Sequence, residues 1–546
     1  MSDDLIGAAR AWQAQDPDPA ARLEIDALID ADETAELASR FDGRLEFGTA
    51  GLRGRVGAGP NRMNRATVRR ATAGLMRYLD DVGAEGPVVI GRDARHGSPE
   101  FLDEVVAVVG GARRVPVVLP EPCPTPLLAF SVLDQGAAAG IMITASHNPP
   151  ADNGYKVFVD DGAQIVSPVD AAISTHIDAV DRLDLVPLDA SRRVDVDVAL
   201  VDRYLDAVQR PLAVPAARSV SIAYTAMHGV GGRLMLDAFE RAGFDPPAVV
   251  DAQFEPDPSF HTVEFPNPEE PGAMDRLVAT ADVGGSDLAL AHDPDADRLG
   301  VAVRTHDGWR RLRGDEVGIL LGDHLLTHGR RGSTDVVATT VVSSRMLFRL
   351  AEARDVEWVE TLTGFKWVAR AAPPDRLLFG YEEALGYAVS TEVRDKDGIS
   401  AALVMAEAAS HLAQTGRTIP DRLDELAAEI GVHETAQVVA RAEGANGMAD
   451  LAAKLDALRA DPPKHLAGIS VVSMEDLALG ARLPPTNGLA FDVEGGRVVL
   501  RPSGTEPKLK CYLEAVEPPG TEVAAARERA RARLALLSDA VTALVS

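Results

Sequence analysis

The sequence predicts an α/β protein: three similar α/β domains with mixed or parallel sheets, then a smaller C-terminal α+β domain. Three observations predict it. Short apolar runs alternate with amphipathic runs of about a dozen residues, the pattern of strands covered by helices on both faces. The alternation repeats three times, and each time a strand delivers a polar loop. From about residue 430 the rhythm changes to closely spaced strands with a glycine turn. A chain of 546 residues has room for three or four domains, and the changes of rhythm set them at 1–200, 201–312, 313–430 and 431–546.

Taken in order, residues 1–45 read as polar helices, an extension packed on the first domain. Glu46 to Arg55 is a glycine-rich loop. Asn64 to Asp81 reads as an amphipathic helix and Pro87 to Gly91 as a strand. Ser98 to Gly110 reads as a helix with Ser98 as N-cap and Pro99 at its first position. Val115 to Leu119 is a strand, Pro126 to Leu133 a helix, and Ala137 to Ile143 a buried strand. That strand stops at Thr144-Ala145-Ser146-His147-Asn148-Pro149-Pro150, because proline lacks a ladder N–H and restricts the residue before it. Ser146 is thereby presented at the carboxyl end of a strand, where open parallel sheets bind ligands.

In the second unit Asp195 to Gln209 reads as a connecting helix. Val220 to Tyr224, Ala248 to Asp251 and Leu288 to Ala291 are strands, with helices Gly231 to Ala242 and Gly272 to Ala281 between them. The third strand runs into His292-Asp293-Pro294-Asp295-Ala296-Asp297-Arg298. The third unit has helix Glu316 to His328, strand Val336 to Val342, helix Arg345 to Ala353 and strand Trp358 to Thr361. Loop Thr363 to Trp367, strand Leu377 to Gly380, loop Tyr381 to Tyr387 and helix Ile399 to Gln414 complete it. In the last domain helix Gly447 to Leu458 precedes strands Gly488 to Val493 and Arg497 to Leu500, an antiparallel pair turning at Gly495-Gly496. A strand at Lys510 to Leu513 and a helix from Glu522 to Val545 close the chain.

Composition excludes several classes. A net charge of −28 argues against nucleic-acid and anionic-membrane partners, so an anionic substrate needs a local cluster of positive charge. No apolar run is long enough to span a bilayer. The acidic start Met1-Ser2-Asp3-Asp4 lacks the regions of a signal peptide. Cys123 and Cys511 are too few for a disulfide framework. These features lead to the expectation of a cytoplasmic protein; composition does not set its oligomeric state, for which a monomer or a homodimer is the expectation. Of 55 basic residues only seven are lysine, and five of those (Lys156, Lys366, Lys396, Lys508 and Lys510) fall in the polar loops. Lysine can lose its proton where its surroundings lower its pKa, which arginine effectively cannot, so the clustering points to proton transfer or phosphate binding.

The loops carry the chemistry. Asp293, Asp295 and Asp297 alternate within five residues and repel one another unless a cation sits among them. Hard oxygen ligands select Mg²⁺ or Ca²⁺. A calcium EF-hand is excluded, because Arg298 and Arg304 stand at its sixth and twelfth positions. Arg501-Pro502-Ser503-Gly504-Thr505 offers a guanidinium, two hydroxyls and close backbone approach, the makings of a phosphate cradle, with Lys508 and Lys510 beside it. Arg53 lies in a second tight loop, and Glu382 and Glu383 can accept from paired hydroxyls of a polyol. The chain has neither a P-loop nor a G-x-S-x-G elbow around Ser146.

Together these runs resemble the α-D-phosphohexomutase superfamily, and are most similar to its phosphoglucomutase branch that includes phosphopentomutases and glucose-1,6-bisphosphate synthases. The runs, in order, are FGTAGLRG at 47–54, TASHNPP at 144–150, NGYK at 153–156, MHGVGG at 227–232, FPNPEEPG at 265–272 and DPDADRLG at 293–300. TGFKW at 363–367, GYEEALGY at 380–387, RDKDG at 394–398 and RPSGTEPKLK at 501–510 follow. The resemblance implies four domains around a central active-site cleft, and a phosphate moved between C1 and C6 of a hexose through a phosphoserine at Ser146. It implies Mg²⁺ held by Asp293, Asp295, Asp297 and a phosphoserine oxygen, with Arg298 and Arg53 beside that phosphate. It implies sugar contacts from Thr363, Gly364, Lys366 and Glu382, and a grip on the second phosphate from Arg501, Ser503, Gly504, Thr505 and Lys510. Lys156, Lys396 and His147 become candidates for proton transfer, and glucose 1,6-bisphosphate an activator.

One position departs from the pattern. Many phosphoglucomutases carry serine two residues after the first glutamate of the sugar loop, where this chain has Ala384. Glucose 1-phosphate is the first expectation, with mannose and pentose phosphates as alternatives. A phosphatase using the same phosphoserine, and a non-catalytic sugar-phosphate sensor, are the competing classes.

Overall fold

The computed structural model describes every residue except Met1, Glu121, Ala216, 443–446, 503–507, Ser546 and the side chain of Met448. The chain forms two compact units, Met1–Leu312 with Gly386–Ser410, and Arg313–Leu385 with His411–Ser546.

The first unit opens with helices Asp3–Gln13, Pro19–Asp30 and Thr34–Phe41, packed around Ala9, Ile25 and Leu37. Its first sheet runs in the order Leu52–Arg55, Asp152–Val159, Ala139–Ile143, Val88–Arg92, Pro116–Val118, Val194–Asp195. Ala139–Ile143 is parallel to Val88–Arg92 on one side and antiparallel to Asp152–Val159 on the other. All five of its residues are buried. Helices Arg65–Asp81 and Ser98–Gly111 bury Val68, Leu75, Val105 and Val109 in the same core as Ile90 and Ile141. Asn64 caps the first helix, its side chain accepting from Thr67 N at 2.8 Å.

The second sheet repeats the plan in the order Gly308–Arg311, Gly300–Thr305, Leu288–Ala291, Ile222–Thr225, Ala248–Val249. Leu288–Ala291 is again buried throughout, with a parallel neighbour on one side and an antiparallel one on the other. Both sheets are therefore mixed, and each has a central strand whose outgoing loop leaves where strand direction changes.

In the second unit Val336–Thr340 lies between Glu357–Thr361 and Leu377–Glu382, all parallel. The last sheet is antiparallel, in the order Val432–Arg441, Lys508–Glu517, Gly496–Pro502, Leu489–Val493, Ile469–Asp476, His465–Leu466. Helix Val523–Val545 buries Ala530, Leu534, Leu537 and Val541 in one core with Leu500 and Leu513. At about 1.5–3 kcal/mol per fully buried leucine, that stripe is what holds the terminal helix. No helix among the described residues is long and apolar enough to cross a membrane.

Several elements differ from the sequence reading. Ser98 is not the cap of its helix. Gly97, at φ 80°, precedes the helix, and the Ser98 hydroxyl instead donates to Asp93 Oδ1 at 2.8 Å. The turn after Leu489–Val493 falls at Glu494-Gly495, since Val493 pairs with Gly496. Strands Asp152–Val159 and Gly300–Thr305 were not expected. The first is buried on both faces and carries Asn153 and Lys156, so it lacks the alternation that marks a half-exposed strand.

Candidate active site

In the first unit two loops converge. Ser146 follows Ala139–Ile143 and sits in the left-handed region at φ 53°, only 3% exposed. The Thr144 hydroxyl accepts from its N–H at 2.9 Å. Arg95 fixes the loop from beneath. Its Nη2 donates to the carbonyls of Ser146 and Asn148, both at 2.6 Å, and its Nη1 to those of Pro149 and Asp152 at 2.8 and 3.1 Å. Arg53 donates to Asn148 Oδ1 at 3.2 Å. A side chain at Gly51 (φ 74°) would place its Cβ 1.9 Å from the Tyr155 carbonyl, which is why the turn needs glycine there; Arg53 itself lies not in the loop expected from sequence but on the strand Leu52–Arg55 that follows.

The acidic loop follows Leu288–Ala291. Asp293, Asp295 and Asp297 are fully buried, and one carboxylate oxygen from each lies within 4.8 Å of the others. The Ser146 hydroxyl donates to Asp293 Oδ2 at 2.9 Å and stands 3.2 Å from His147 Nδ1. Thr125 Oγ1 donates to Asp295 Oδ2 at 2.6 Å. Lys156 Nζ reaches Asp295 Oδ2 at 2.7 Å and Asp297 Oδ2 at 3.2 Å, and Lys396 Nζ reaches Asp297 Oδ2 at 2.8 Å. Lys396 belongs to the segment Gly386–Ser410, which packs with this unit. Arg298 holds the loop through its own N–H, donated to Asp293 Oδ1 at 3.1 Å, while its guanidinium reaches Glu269 at 3.3 Å. Oδ1 of Asp295 and Oδ1 of Asp297 are buried with no hydrogen-bond partner among the described residues.

Electrostatics follow from this crowding. Burial and the neighbouring Asp295 and Asp297 push the Asp293 carboxyl well above its usual range. Burial also opposes charge on Asp295, but Lys156 and the Thr125 hydroxyl outweigh it and hold that group below its ordinary value. Burial alone would lower Lys156, yet the Asp295 and Asp297 carboxylates raise it, and Asp297 and Asp395 do the same for Lys396. The carboxylates that Lys156 and Lys396 touch thus draw both lysines toward the charged form. His147 is the group pushed down, by withdrawal from water and by Arg298 and Arg53.

In the second unit Glu382 ends strand Leu377–Glu382 and accepts from Gly364 N at 2.6 Å, orienting the loop that carries Thr363 and Lys366. The Thr363 hydroxyl is buried without a partner among the described residues. Glu383 accepts from Ser343 Oγ at 3.0 Å, which makes it part of the loop's framework. Arg501 and Lys510 face each other across an antiparallel pair, and Lys508 pairs with Arg441 on the next. Period-two alternation places these four cations on one face. Like charges directly opposite are unfavourable without an anion between them. Ser503, Gly504 and Thr505 lie outside the described residues.

Arg95 was not among the sequence-derived candidates. Its signal is a polar Arg-Asp-x-Arg run after the strand Val88–Arg92, which alone is hard to distinguish from a surface loop.

Four models of phosphoglucomutase/phosphomannomutase domains match the chain in order. The α/β/α domains I, II and III match residues 44–184, 202–308 and 313–430, and the C-terminal domain matches 434–531. The chain is 40% identical to a probable phosphomannomutase of Haemophilus influenzae, over 83% of this chain and 93% of that one. It is 35% identical to the phosphopentomutase of Mus musculus, over 93% and 90%, and 32% identical to a phosphoglucomutase of Staphylococcus aureus, over 87% and 90%.

Proposed function

The chain belongs to the phosphoglucomutase/phosphomannomutase family of phosphomutases, intramolecular phosphotransferases, and from that premise we propose that it moves phosphate between C1 and C6 of a hexose, with glucose 1-phosphate preferred. The observation that carries the reading is the Ser146 hydroxyl 2.9 Å from a buried triad of aspartates. The reaction starts from Ser146 carrying a phosphoryl group. The bond from phosphorus to the serine oxygen breaks and a bond to the free hydroxyl of a sugar monophosphate forms. That hydroxyl gives up its proton, and the serine oxygen takes one. The bisphosphate turns over and its other phosphate returns to Ser146, so no water is consumed. Added glucose 1,6-bisphosphate acts as activator by charging Ser146.

The donor set fits Mg²⁺: three buried carboxylates, two of them with an orphaned oxygen. Bound there together with a phosphoserine oxygen, the ion would neutralise charge on the transferred group. The chain's own residues do the rest. His147, neutral and 3.2 Å from Ser146 Oγ, moves the proton at that oxygen. Lys156 and Lys396 stay protonated and hold Asp295 and Asp297 in place, while Arg53 and Arg298 steady the phosphoserine. Glu382, Thr363, Gly364 and Lys366 bind sugar hydroxyls. Arg501 and Lys510, with Ser503, Gly504 and Thr505, hold the phosphate that is not in transfer. Mainly positioning and charge stabilisation are asked of such a site.

A pentose reading has its own support in Ala384, which removes one polar partner from the sugar loop, and in the 35% identity to a phosphopentomutase. The deciding experiment is kcat/KM on glucose, mannose, ribose and deoxyribose 1-phosphates with catalytic bisphosphate present. The highest value on glucose 1-phosphate supports the proposal, and a higher value on a pentose phosphate transfers it to that reading. Steady release of inorganic phosphate without isomerised sugar makes the protein a phosphatase instead.

A further inference from the structure

A second cluster of metal-ligating side chains lies in the first unit, apart from the aspartate triad. His228, Asp257 and His261 each offer one ligand atom, and the three atoms lie within 4.8 Å of one another. His228 is 2% exposed and sits in a left-handed turn at φ 60°, its N–H donated to the Gln253 carbonyl at 2.8 Å. Its Nε2 stands 2.8 Å from Thr262 Oγ1. Gln253 Nε2 donates to that same hydroxyl oxygen at 2.8 Å, and Gln253 Oε1 accepts from Thr225 Oγ1 at 2.7 Å. Thr262 and Gln253 thereby fix the orientation of the His228 ring through Nε2. Metal-bound histidines are oriented by such outer partners. His261 Nδ1 is 2.5 Å from Asp257 Oδ2, and the two imidazole centroids are 4.6 Å apart.

We propose that His228, Asp257 and His261 form a second cation site, one for a borderline transition ion such as Zn²⁺ or Co²⁺. Two nitrogens and a carboxylate match that class, whereas Mg²⁺ favours oxygen alone. A tetrahedral ion with bonds of about 2.0–2.2 Å wants its ligand atoms roughly 3.4 Å apart. The side chain of His261, 61% exposed, can rotate to close the difference. The site is not isolated from the chemistry. Phe260, between two of the ligands, lies 4.8 Å from the guanidinium of Arg95, which carries the Ser146 loop. A bound ion would pin Phe260 against Arg95. The proposal stands on these residues whatever sugar the enzyme takes.

The test uses Co²⁺ as the probe. Chelator-treated full-length protein is equilibrated with Co²⁺ in excess Mg²⁺, which occupies the aspartate triad, and bound cobalt is read by mass spectrometry of the metal and by its visible absorption. One Co²⁺ per chain is expected to resist Mg²⁺ and to persist in Asp295→Asn. His261→Ala, at an exposed position, and Asp257→Asn, at a half-buried one, should weaken it by at least about tenfold, and Thr262→Val by a similar factor through its outer contact. Thermal unfolding confirms that each variant is folded. Complete displacement of Co²⁺ by Mg²⁺, or equal affinity in wild type and His261→Ala, overturns the proposal.

Discussion

Arg95→Lys tests whether the phosphoserine loop is held by one buried guanidinium. Arg95 donates to four carbonyls, those of Ser146, Asn148, Pro149 and Asp152, at 2.6–3.1 Å. An ammonium on a lysine stem reaches two of these at best, because it lacks the planar fork. Two charge-assisted bonds at about 1.5–3 kcal/mol each are then lost, about 3–6 kcal/mol against the native loop before water recovers part of it. The fold should survive with a lowered Tm, since the core around Ile90 and Ile141 is untouched. Ser146, released from its left-handed turn, should drift by about an ångström, and displacement of that order costs about 10²-fold in rate. Initial rates with glucose 1-phosphate, measured well below the variant's Tm, should therefore show kcat down by about two orders of magnitude. KM should change little, because Arg95 bonds the loop and its hydrogen bonds go to no proposed sugar ligand. A variant with kcat within about twofold of wild type and an unchanged Tm would show that the Ser146 loop does not depend on Arg95.

Other perturbations have defined outcomes. Asp16 is buried, one of its oxygens has no partner, and burial raises its pKa to about 6 from an ordinary 3.8. A carboxyl raised in the folded state gives its stability below the unfolded pKa and loses it as pH climbs through the folded one, here between about 4 and 6. Asp16→Asn keeps an acceptor for Asp18 N, so in urea titrations its advantage should be near zero at pH 4 and approach a ceiling of about 3 kcal/mol at pH 7.5. An advantage independent of pH would contradict that cause. Ala384→Ser should raise kcat/KM for glucose 1-phosphate over ribose 1-phosphate by about two- to tenfold, one hydrogen bond's worth, and an unchanged ratio would remove Ala384 from the determinants of specificity. Chelation should abolish mutase activity and Mg²⁺ restore it. Undiminished turnover after exhaustive chelation would separate the aspartates from catalysis.

The central strands were legible because they are short, wholly apolar and cut off by special residues. Leu288–Ala291 lies where its sequence places it, and the double proline after Ser146 marks the end of Ala139–Ile143. The aspartate triad was legible too, because alternating carboxylates in one loop need no tertiary information. What joins distant segments was not. Lys396 lies about a hundred residues beyond Asp297 in the chain, and only the packing of Gly386–Ser410 brings them to 2.8 Å. The direction of the lysine pKa shift was also beyond the sequence, since burial and carboxylate pairing oppose each other and geometry decides between them. Arg95 stayed hidden because its partners are carbonyls, which every residue has.

The proposed reaction requires Ser146 to carry phosphate between turnovers. Intact-protein mass spectrometry after incubation with glucose 1,6-bisphosphate, with peptide mapping, tests it most directly. One phosphate is expected on wild type, mapped to Ser146, discharged by excess sugar monophosphate and absent from Ser146→Ala. A phosphate that persists in Ser146→Ala, or an active wild type that never acquires one, would contradict it.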